Sequence, residues 1–173
     1  MVLDRIRGEK GVSEGDKLLY LICHNSTDGV LRGRKKLTKL AFFAEHWLPE
    51  EDILDPNEQF GGFNFIIYKF GPFSKELFKS FDTLKDDGFV KEIRQPRGNS
   101  EIAVTDQGKE RVAAIESQLH RDERSQITAI SQEMADKPGH TLEEMSLDYL
   151  GISKSEKQEY MGVPVSVLIS EQN

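Results

Sequence analysis

Cysteine is almost absent from this 173-residue sequence, which contains Cys23 and no other thiol. A single thiol excludes an internal disulfide and a cysteine-rich zinc site. It is also typical of a reducing compartment, so we expect a cytoplasmic protein. Long apolar runs are missing too, because no stretch approaches the roughly 20 consecutive residues that a membrane-spanning helix needs. Residues 1–12 are charged and have no apolar core, so they do not resemble a secretory signal, and we expect them to be flexible.

Basic residues are in deficit as well. The chain has 23 lysines and arginines against 30 aspartates and glutamates, which gives a formal net charge of -7. This balance removes the overall attraction to nucleic acid that a basic protein has, although a local cluster of cations still binds phosphates. Of the remaining composition, the 37% of hydrophobic residues supply enough apolar material for a folded core.

Helical periodicity and capping signals predict a mainly helical chain. Ser13 and Asp16 have the spacing of a capping box, and Thr141 with Glu144 repeats that spacing near the C-terminus. The expected helices cover 14–24, 32–48, 74–87, 106–120, 122–136 and 142–150, and the expected strands cover 63–70, 90–94, 101–105 and the tail 163–169. We therefore predict an α+β fold with a small antiparallel sheet. Its expected division is a core at 13–120 and a helical extension, with a C-terminal strand or tail, at 121–173.

The segment 70–105 predicts a helix followed by a hairpin. Ser74 is expected to cap the helix, and Gly88 is expected to end it in a left-handed conformation. The residues expected in the core here are Leu77, Phe81, Leu84, Phe89 and Ile93. Many winged-helix proteins run from recognition helix into wing in this way, so we predict a winged-helix-like helix–hairpin unit.

A DNA-binding transcriptional regulator is therefore the alternative function that the shape predicts. The candidate phosphate-binding residues are Arg32, Arg34, Lys36, Lys91, Arg94 and Arg97. The exposed side of the 74–87 helix, however, carries Asp82 and Asp86, and carboxylates that face phosphates oppose binding. The charge pattern favours a protein partner over nucleic acid.

The stretch FNFIIYKFGP, residues 63–72, is aromatic and β-branched, which is typical of a buried strand. The breaker pair Gly71–Pro72 predicts a tight turn at its end. We expect Tyr68 to be mostly buried and Gly71 to have a positive φ.

The helix at 32–48 carries two stripes. Its core stripe is Leu37, Leu40, Ala41, Ala44 and Leu48, and the opposite side carries Lys35, Lys39, Phe42 and His46. One interpretation is that another element covers Phe42, since a helix that is apolar nearly all round is usually buried. The acidic loop at 50–58 would then balance the lysines internally. The other interpretation is a contact face for an acidic protein partner, with Phe42 as the anchor and the lysines at its rim.

The segment GRKKLTKLAFFAEHW, followed by a loop and by YKFGPFSKEL, resembles the SocA-like antitoxin family, also called the Panacea domain. The matching positions are Leu37, Lys39, Leu40, Phe43, Ala44, Trp47, Tyr68, Gly71, Pro72, Glu76 and Leu77. The resemblance covers about residues 30 to 90. It implies a non-enzymatic partner of a toxin, and the founding type of the family acts as an adaptor that presents its toxin for proteolysis.

Residues of the types that act in catalysis or bind metals are not spaced for either role in this sequence. The four histidines lack metal-ligand spacing, and Cys23 and His24 point about 100° apart on a helix, so they do not form a nucleophile–base pair there. We therefore expect no enzyme activity, no metal and no cofactor. The residues predicted to bind a protein partner are Lys35, Lys39, Phe42, His46, Phe70 and Phe73.

Overall fold

The computed structural model describes residues 12–47 and 62–172. The helices in these ranges are α1 (Glu14–Asn25), α2 (Arg34–His46), α3 (Lys75–Asp86), α4 (Asp106–Glu116), α5 (Arg121–Met134), α6 (Gly139–Tyr149) and α7 (Val165–Gln172), with a 3-10 turn at Lys157–Tyr160. The strands are β1 (Leu31–Arg32), β2 (Ile66–Tyr68), β3 (Gly71–Phe73), β4 (Val90–Ile93) and β5 (Glu101–Val104). The predicted α+β class is confirmed. Residues 1–11, Leu48 and the acidic loop at 50–58 lie outside the described residues, and within the described ranges every helix is too short or too polar to cross a bilayer.

Side-chain caps start three of the helices where the sequence predicts. The Ser13 hydroxyl accepts from the Asp16 amide at 3.1 Å, and the Asp16 carboxylate accepts from the Ser13 amide at 3.4 Å. Ser74 and Thr105 likewise accept from the amide three residues further on, at 3.2 and 3.0 Å. Each bond satisfies a backbone donor that has no partner inside the first turn of its helix.

The first sheet combines β1 with the hairpin of β4 and β5. Its strand order is β1-β5-β4, all antiparallel, with Leu31 opposite Ile102 and Val90 opposite Val104. Helix α3 reaches this hairpin through Gly88, whose φ of 82° is left-handed as expected. The predicted winged-helix-like unit is therefore confirmed as an arrangement of elements.

The residues predicted to lie in the core around this hairpin are buried or half-buried, except at the end of β4. Leu77, Phe81 and Leu84 of α3 are buried, and Phe89 is half-buried against the core. Ile93 is 47% exposed, so the prediction that it lies in the core is wrong. The reason is the two-residue period of a strand, because an odd spacing puts Ile93 on the opposite face from the buried Val90.

Strands β2 and β3 form a second hairpin with Lys69 and Phe70 as its turn, since Tyr68 pairs with Gly71. Gly71 has a φ of 85°, as predicted. The predicted turn at Gly71–Pro72 is wrong, because both residues belong to β3. The predicted burial of Tyr68 is also wrong. This side chain is 43% exposed, whereas Ile67, on the opposite face of β2, is fully buried.

The part of the chain after residue 120 packs directly on the part before it. Helix α5 contacts α1 and α2, and α6 contacts α2 and β3. Ile127, Leu142 and Val165 join the same hydrophobic cluster as the buried residues of α1 and α2. The division at residue 120 stays a prediction, but one core is continuous across it.

Two predictions for the C-terminal region are wrong. Helix α6 begins at Gly139 after Pro138, so Thr141 lies inside the helix and does not cap it. Gly139 approaches α2 so closely that a Cβ there would lie 3.3 Å from the backbone nitrogen of Lys36. The expected strand at 163–169 is helix α7, and Pro164 makes only an isolated bridge to Ile66. Proline just before a helix is favourable because its fixed φ suits the first turn.

Candidate functional site

Helix α2 lies at the centre of the site, and the middle of its predicted contact face, Lys39 and Phe42, is buried, whereas Lys35 and His46 at its ends are partly exposed. Phe42 is fully buried, with its ring centroid 5.7 Å from that of Phe65 and 6.2 Å from that of Tyr149. Tyr149 belongs to α6, which packs along α2. The interpretation that another element covers Phe42 is confirmed, and Phe42 is not a surface anchor.

His46 is only slightly exposed and packs against the same aromatic cluster. Its ring centroid is 5.3 Å from that of Phe42 and 6.1 Å from that of Phe65. Burial lowers the pKa of His46 to about 4, so the imidazole is neutral at physiological pH. A neutral ring among aromatic side chains has the role of a core residue, not of a rim cation.

Two lysines of α2 are buried and bonded to carbonyl groups. The Lys39 ammonium donates to the Pro72 carbonyl at 2.9 Å, and that of Lys36 donates to the Ala135 carbonyl. Burial lowers the pKa of Lys39 to about 7 and also lowers the pKa of Lys36. Lys39 holds the second hairpin against α2, and Lys36 holds the end of α5 there.

A groove opens where α2, α3 and the β2–β3 hairpin meet. Its cavity has a volume of about 310 Å³. We call it the aromatic groove, and its lining residues are Arg34, Lys35, Thr38, Lys39, Tyr68, Phe70, Gly71, Phe73 and Phe78. Four of the six predicted partner-binding residues meet in it, namely Lys35, Lys39, Phe70 and Phe73.

Neighbouring aromatic rings, tilted against one another, form the wall of the aromatic groove. The ring centroids of Tyr68 and Phe73 are 5.4 Å apart, and those of Phe73 and Phe78 are 5.2 Å apart. Phe70, at the tip of the hairpin, is 56% exposed. This chain of rings carries an apolar surface from the body of the protein out to solvent.

Two cations border the rings. The Lys35 ammonium lies 4.2 Å from the centroid of the Phe70 ring and 3.0 Å from the Glu143 carboxylate. The Arg34 guanidinium lies 5.4 Å from the Phe78 centroid and makes two hydrogen bonds of 2.8 Å to Glu92. Hydrogen bonds from Arg34, followed by those from Lys85 and Ser100, lower the pKa of Glu92 to about 2. Arg34 is thus tied to β4, whereas Lys35 lies over the exposed tip of the second hairpin.

The candidate phosphate-binding residues separate into two groups. Arg32 pairs with Glu101 at 2.9 Å, and Arg34 and Lys36 have the partners given above. Lys91, Arg94 and Arg97 are exposed on the hairpin of β4 and β5. The structure places Arg94 with Arg34 and Lys35 around a polar cavity of about 420 Å³ at the start of α2, whose lining does not include Lys91 or Arg97.

The sequence did not indicate that Tyr68, Phe78 and Thr38 line the aromatic groove. Tyr68 alternates with the buried Ile67, and this alternation was the signal that it faces the other way. Phe78 directly follows the core residue Leu77 on α3, so it lies at the margin of the core stripe, where an aromatic ring forms the wall of a groove.

The described residues do not form a metal-binding arrangement. In residues 12–47 and 62–172, no group of three histidine, cysteine, aspartate or glutamate side chains is placed to hold a metal ion. Burial raises the pKa of the Cys23 thiol, which opposes formation of the nucleophilic thiolate. The aromatic groove is the arrangement that favours binding, because it combines an apolar cavity with cations at its border.

Comparison of the chain with protein-family models, with curated proteins and with solved structures finds no match.

Proposed function

We propose that this protein is a non-catalytic interaction protein of the antitoxin or adaptor type, which binds a protein partner in the cytoplasm. The observation that supports this proposal is the aromatic groove with its exposed rim. Phe70 and Tyr68 are 56% and 43% exposed beside an apolar cavity. Exposed aromatic residues next to a pocket are typical of the anchoring positions of protein interfaces, where aromatic and arginine side chains contribute most of the binding free energy.

The resemblance to the SocA-like family supports the same proposal. The resembling segment, about residues 30 to 90, supplies all three walls of the aromatic groove: α2, α3 and the β2–β3 hairpin. Partner binding through this groove is therefore the role that we propose for that segment.

A pull-down from cells that naturally produce the protein tests the proposal. Tagged full-length wild type and the Phe70→Ala variant are compared, with Ile93→Ala as the matched control. Both residues are large, apolar and exposed on a hairpin, but only Phe70 lines the aromatic groove. We expect one or a few proteins to be recovered in stoichiometric amounts with wild type and Ile93→Ala and to be lost with Phe70→Ala. Recovery of the same proteins with all three baits, or of none with wild type, would contradict the proposal.

DNA binding is the second candidate function. The winged-helix-like order of elements and the exposed cations Lys91, Arg94 and Arg97 favour it. Asp82 and Asp86 oppose it, because both are exposed on α3, the helix that would enter a groove of the duplex. Retention on random-sequence DNA as a function of salt separates the two functions. We expect no retention at physiological salt, whereas a DNA-binding protein would be retained and would lose affinity steeply as salt rises.

A further inference from the structure

Among residues 12–47 and 62–172, positive charge is in excess at the hairpin end of the aromatic groove. Glu143 lies 3.0 Å from the Lys35 ammonium and 3.7 Å from that of Lys157. The same carboxylate is the main opposite charge that acts on Lys39. Within the described part of the chain, this carboxylate thus pairs with two ammonium groups and also lies near the buried Lys39 amine, in a protein whose net charge is -7.

Lys69 adds to this excess. It occupies the turn of the β2–β3 hairpin next to Phe70, it is exposed, and among the described residues it makes no ion pair. The Lys157 ammonium reaches the same turn and donates to the Lys69 carbonyl. The exposed ring of Phe70 therefore has the Lys35 ammonium 4.2 Å from its centroid, and its neighbour in the turn, Lys69, carries a further exposed amine.

At the α3 end of the aromatic groove, by contrast, positive and negative charges are balanced among the described residues. Glu92 accepts from Arg34 at 2.8 Å and from Lys85 at 3.1 Å, and Asp82 lies 3.8 Å from Arg34. Two cations there meet two carboxylates. The excess charge lies at the hairpin end, beside the apolar cavity.

We propose that the occupant of the aromatic groove is an acidic segment of the partner protein, with one large apolar side chain in the cavity and a neighbouring carboxylate between Lys35 and Lys69. This inference rests on the proposed function. A cavity of about 310 Å³ is at the lower end of ligand sites and suits a single large side chain. Among the described residues, Glu143 is the carboxylate paired with Lys35 and Lys157, and a carboxylate on the segment would supply the further negative charge that the exposed amines attract. A basic segment would place like charges together, and this repulsion disfavours it.

Selection of random linear peptides on the immobilised full chain, at physiological ionic strength, tests the chemistry of the occupant. We expect the enriched peptides to share an aromatic or large aliphatic residue within two positions of Asp or Glu. Enrichment of basic or neutral peptides, or no enrichment at all, would overturn the inference. A competition assay with random-sequence DNA, added at the same concentration of negative charges as the peptide, distinguishes a peptide-binding site from a phosphate-binding site. Full displacement by DNA would also overturn it.

Variants locate the selected peptides on the surface. Lys69→Glu and Phe70→Ala should each weaken binding of the best peptide about tenfold or more. A loss of this size is typical of an interface residue that contributes substantially to the binding free energy. Their matched controls are Lys91→Glu and Ile93→Ala on the other hairpin, which should bind like wild type. Raising the salt concentration should weaken binding to wild type and have a smaller effect on Lys69→Glu. Equal losses on the two hairpins would contradict the placement.

The two proposals fail in different ways. If the cellular partner depends on Phe70 but the selected peptides are neutral or basic, the proposed function stands and the acidic occupant is refuted. If acidic peptides bind at Lys69 and Phe70 but no partner depends on Phe70, the chemistry of the groove stands and the proposed function is refuted.

Discussion

Helices α2 and α3 are neighbours at the aromatic groove, and they differ in how much of each is covered. Leu77, Phe81 and Leu84 of α3 are buried, while its opposite side faces solvent. In α2, every residue from Lys36 to Glu45 is buried. Both helices show an apolar stripe in the sequence, but the other side of α3 is exposed along its length, whereas that of α2 is covered from Lys36 to Glu45.

The difference shows how a helix that is covered on all sides accommodates its polar residues. Lys36 and Lys39 donate to carbonyl groups, and Glu45 accepts from the Phe63 amide. Burial raises the pKa of Glu45 to about 8 and lowers the pKa of Lys39 to about 7, so both side chains are driven towards their neutral forms. Polar residues opposite a core stripe therefore do not by themselves indicate a solvent-exposed face.

The largest expected effect comes from removing the ring at the centre of α2. Phe42→Ala should lower the free energy of unfolding by about 3–5 kcal/mol, because it leaves a cavity between α2 and α6. The control Lys79→Ala, on the exposed side of α3, should change it by less than about 0.5 kcal/mol. Chemical denaturation followed by circular dichroism measures both. A loss below about 1 kcal/mol for Phe42→Ala would show that α6 does not pack on α2 as described.

The start of α2 should be the next most sensitive position. Gly33 precedes the helix with φ 98° and ψ 147°, a conformation almost restricted to glycine, and no side chain caps the helix there. Gly33→Ala should cost about 1–3 kcal/mol through backbone strain. A Cβ at this position would also lie 2.9 Å from the Asn99 side chain. The double variant Gly33→Ala/Asn99→Gly removes this contact but keeps the backbone strain, so we expect it to remain less stable than wild type. Full recovery of the free energy of unfolding in the double variant would show that the contact with Asn99, and not backbone strain, causes the loss.

The pH dependence of stability should distinguish α2 from α3. Burial lowers the pKa of Lys39 from 10.5 to about 7, so between these pH values the unfolded chain binds a proton that the folded chain does not. Stability from this group is therefore lowest below pH 7 and rises towards pH 10.5, by up to about 1.4 kcal/mol per pH unit. Lys39→Met should be more stable than wild type below pH 7, and its advantage should shrink as pH rises.

Denaturant titrations of wild type and Lys39→Met at pH 6 and pH 9 measure this difference. Comparing the two proteins at each pH cancels the opposite contribution of Glu45, whose raised pKa makes stability fall as pH rises from 4.5 to about 8. The control Lys79→Met on α3 should stay within about 0.5 kcal/mol of wild type at both pH values. An advantage of Lys39→Met that is equal at the two pH values would refute the role of the buried amine.

The smallest expected effect is at the start of α3. The Ser74 hydroxyl accepts from the Leu77 amide at 3.2 Å and is the side-chain cap of this helix. Ser74→Ala should cost about 1 kcal/mol, and Ser74→Asp, which retains an acceptor, should cost less. Equal losses in the two variants, read from urea midpoints, would show that the cap bond does not stabilise α3.

The sequence predicted more of the fold than of the site. The winged-helix-like unit followed from the cap at Ser74, the stripe of α3 and the turn at Gly88, all of which act within a few residues of one another. Some errors were local, as at Ile93 and Tyr68, where the two-residue period of a strand was not applied. Others occurred where a distant segment decided the outcome. Pro164 and the residues after it alternate like a strand, yet Val165 and Leu168 are buried one helical turn apart, packed against the core.

The aromatic groove was predicted only in part for the same reason. Lys35, Phe70 and Phe73 were expected to bind a partner, and the structure brings them together. Phe42 and His46 were expected beside them, but Phe65 and Tyr149 enclose Phe42 instead. No pattern within the 32–48 segment states that α6, about a hundred residues later, covers it.

The sequence by itself determined the local features of this protein: which residues cap α1 and α3, which stripe of α3 faces inward, and where Gly71 and Gly88 take a positive φ. These features depend on hydrogen bonds and steric limits that span at most a few residues. The tertiary structure alone decided which side of α2 is covered, where the exposed rings of the second hairpin lie and how many amines share Glu143. These properties depend on contacts between segments far apart in the chain, and burial and charge balance are set by whatever those segments place at each point in space.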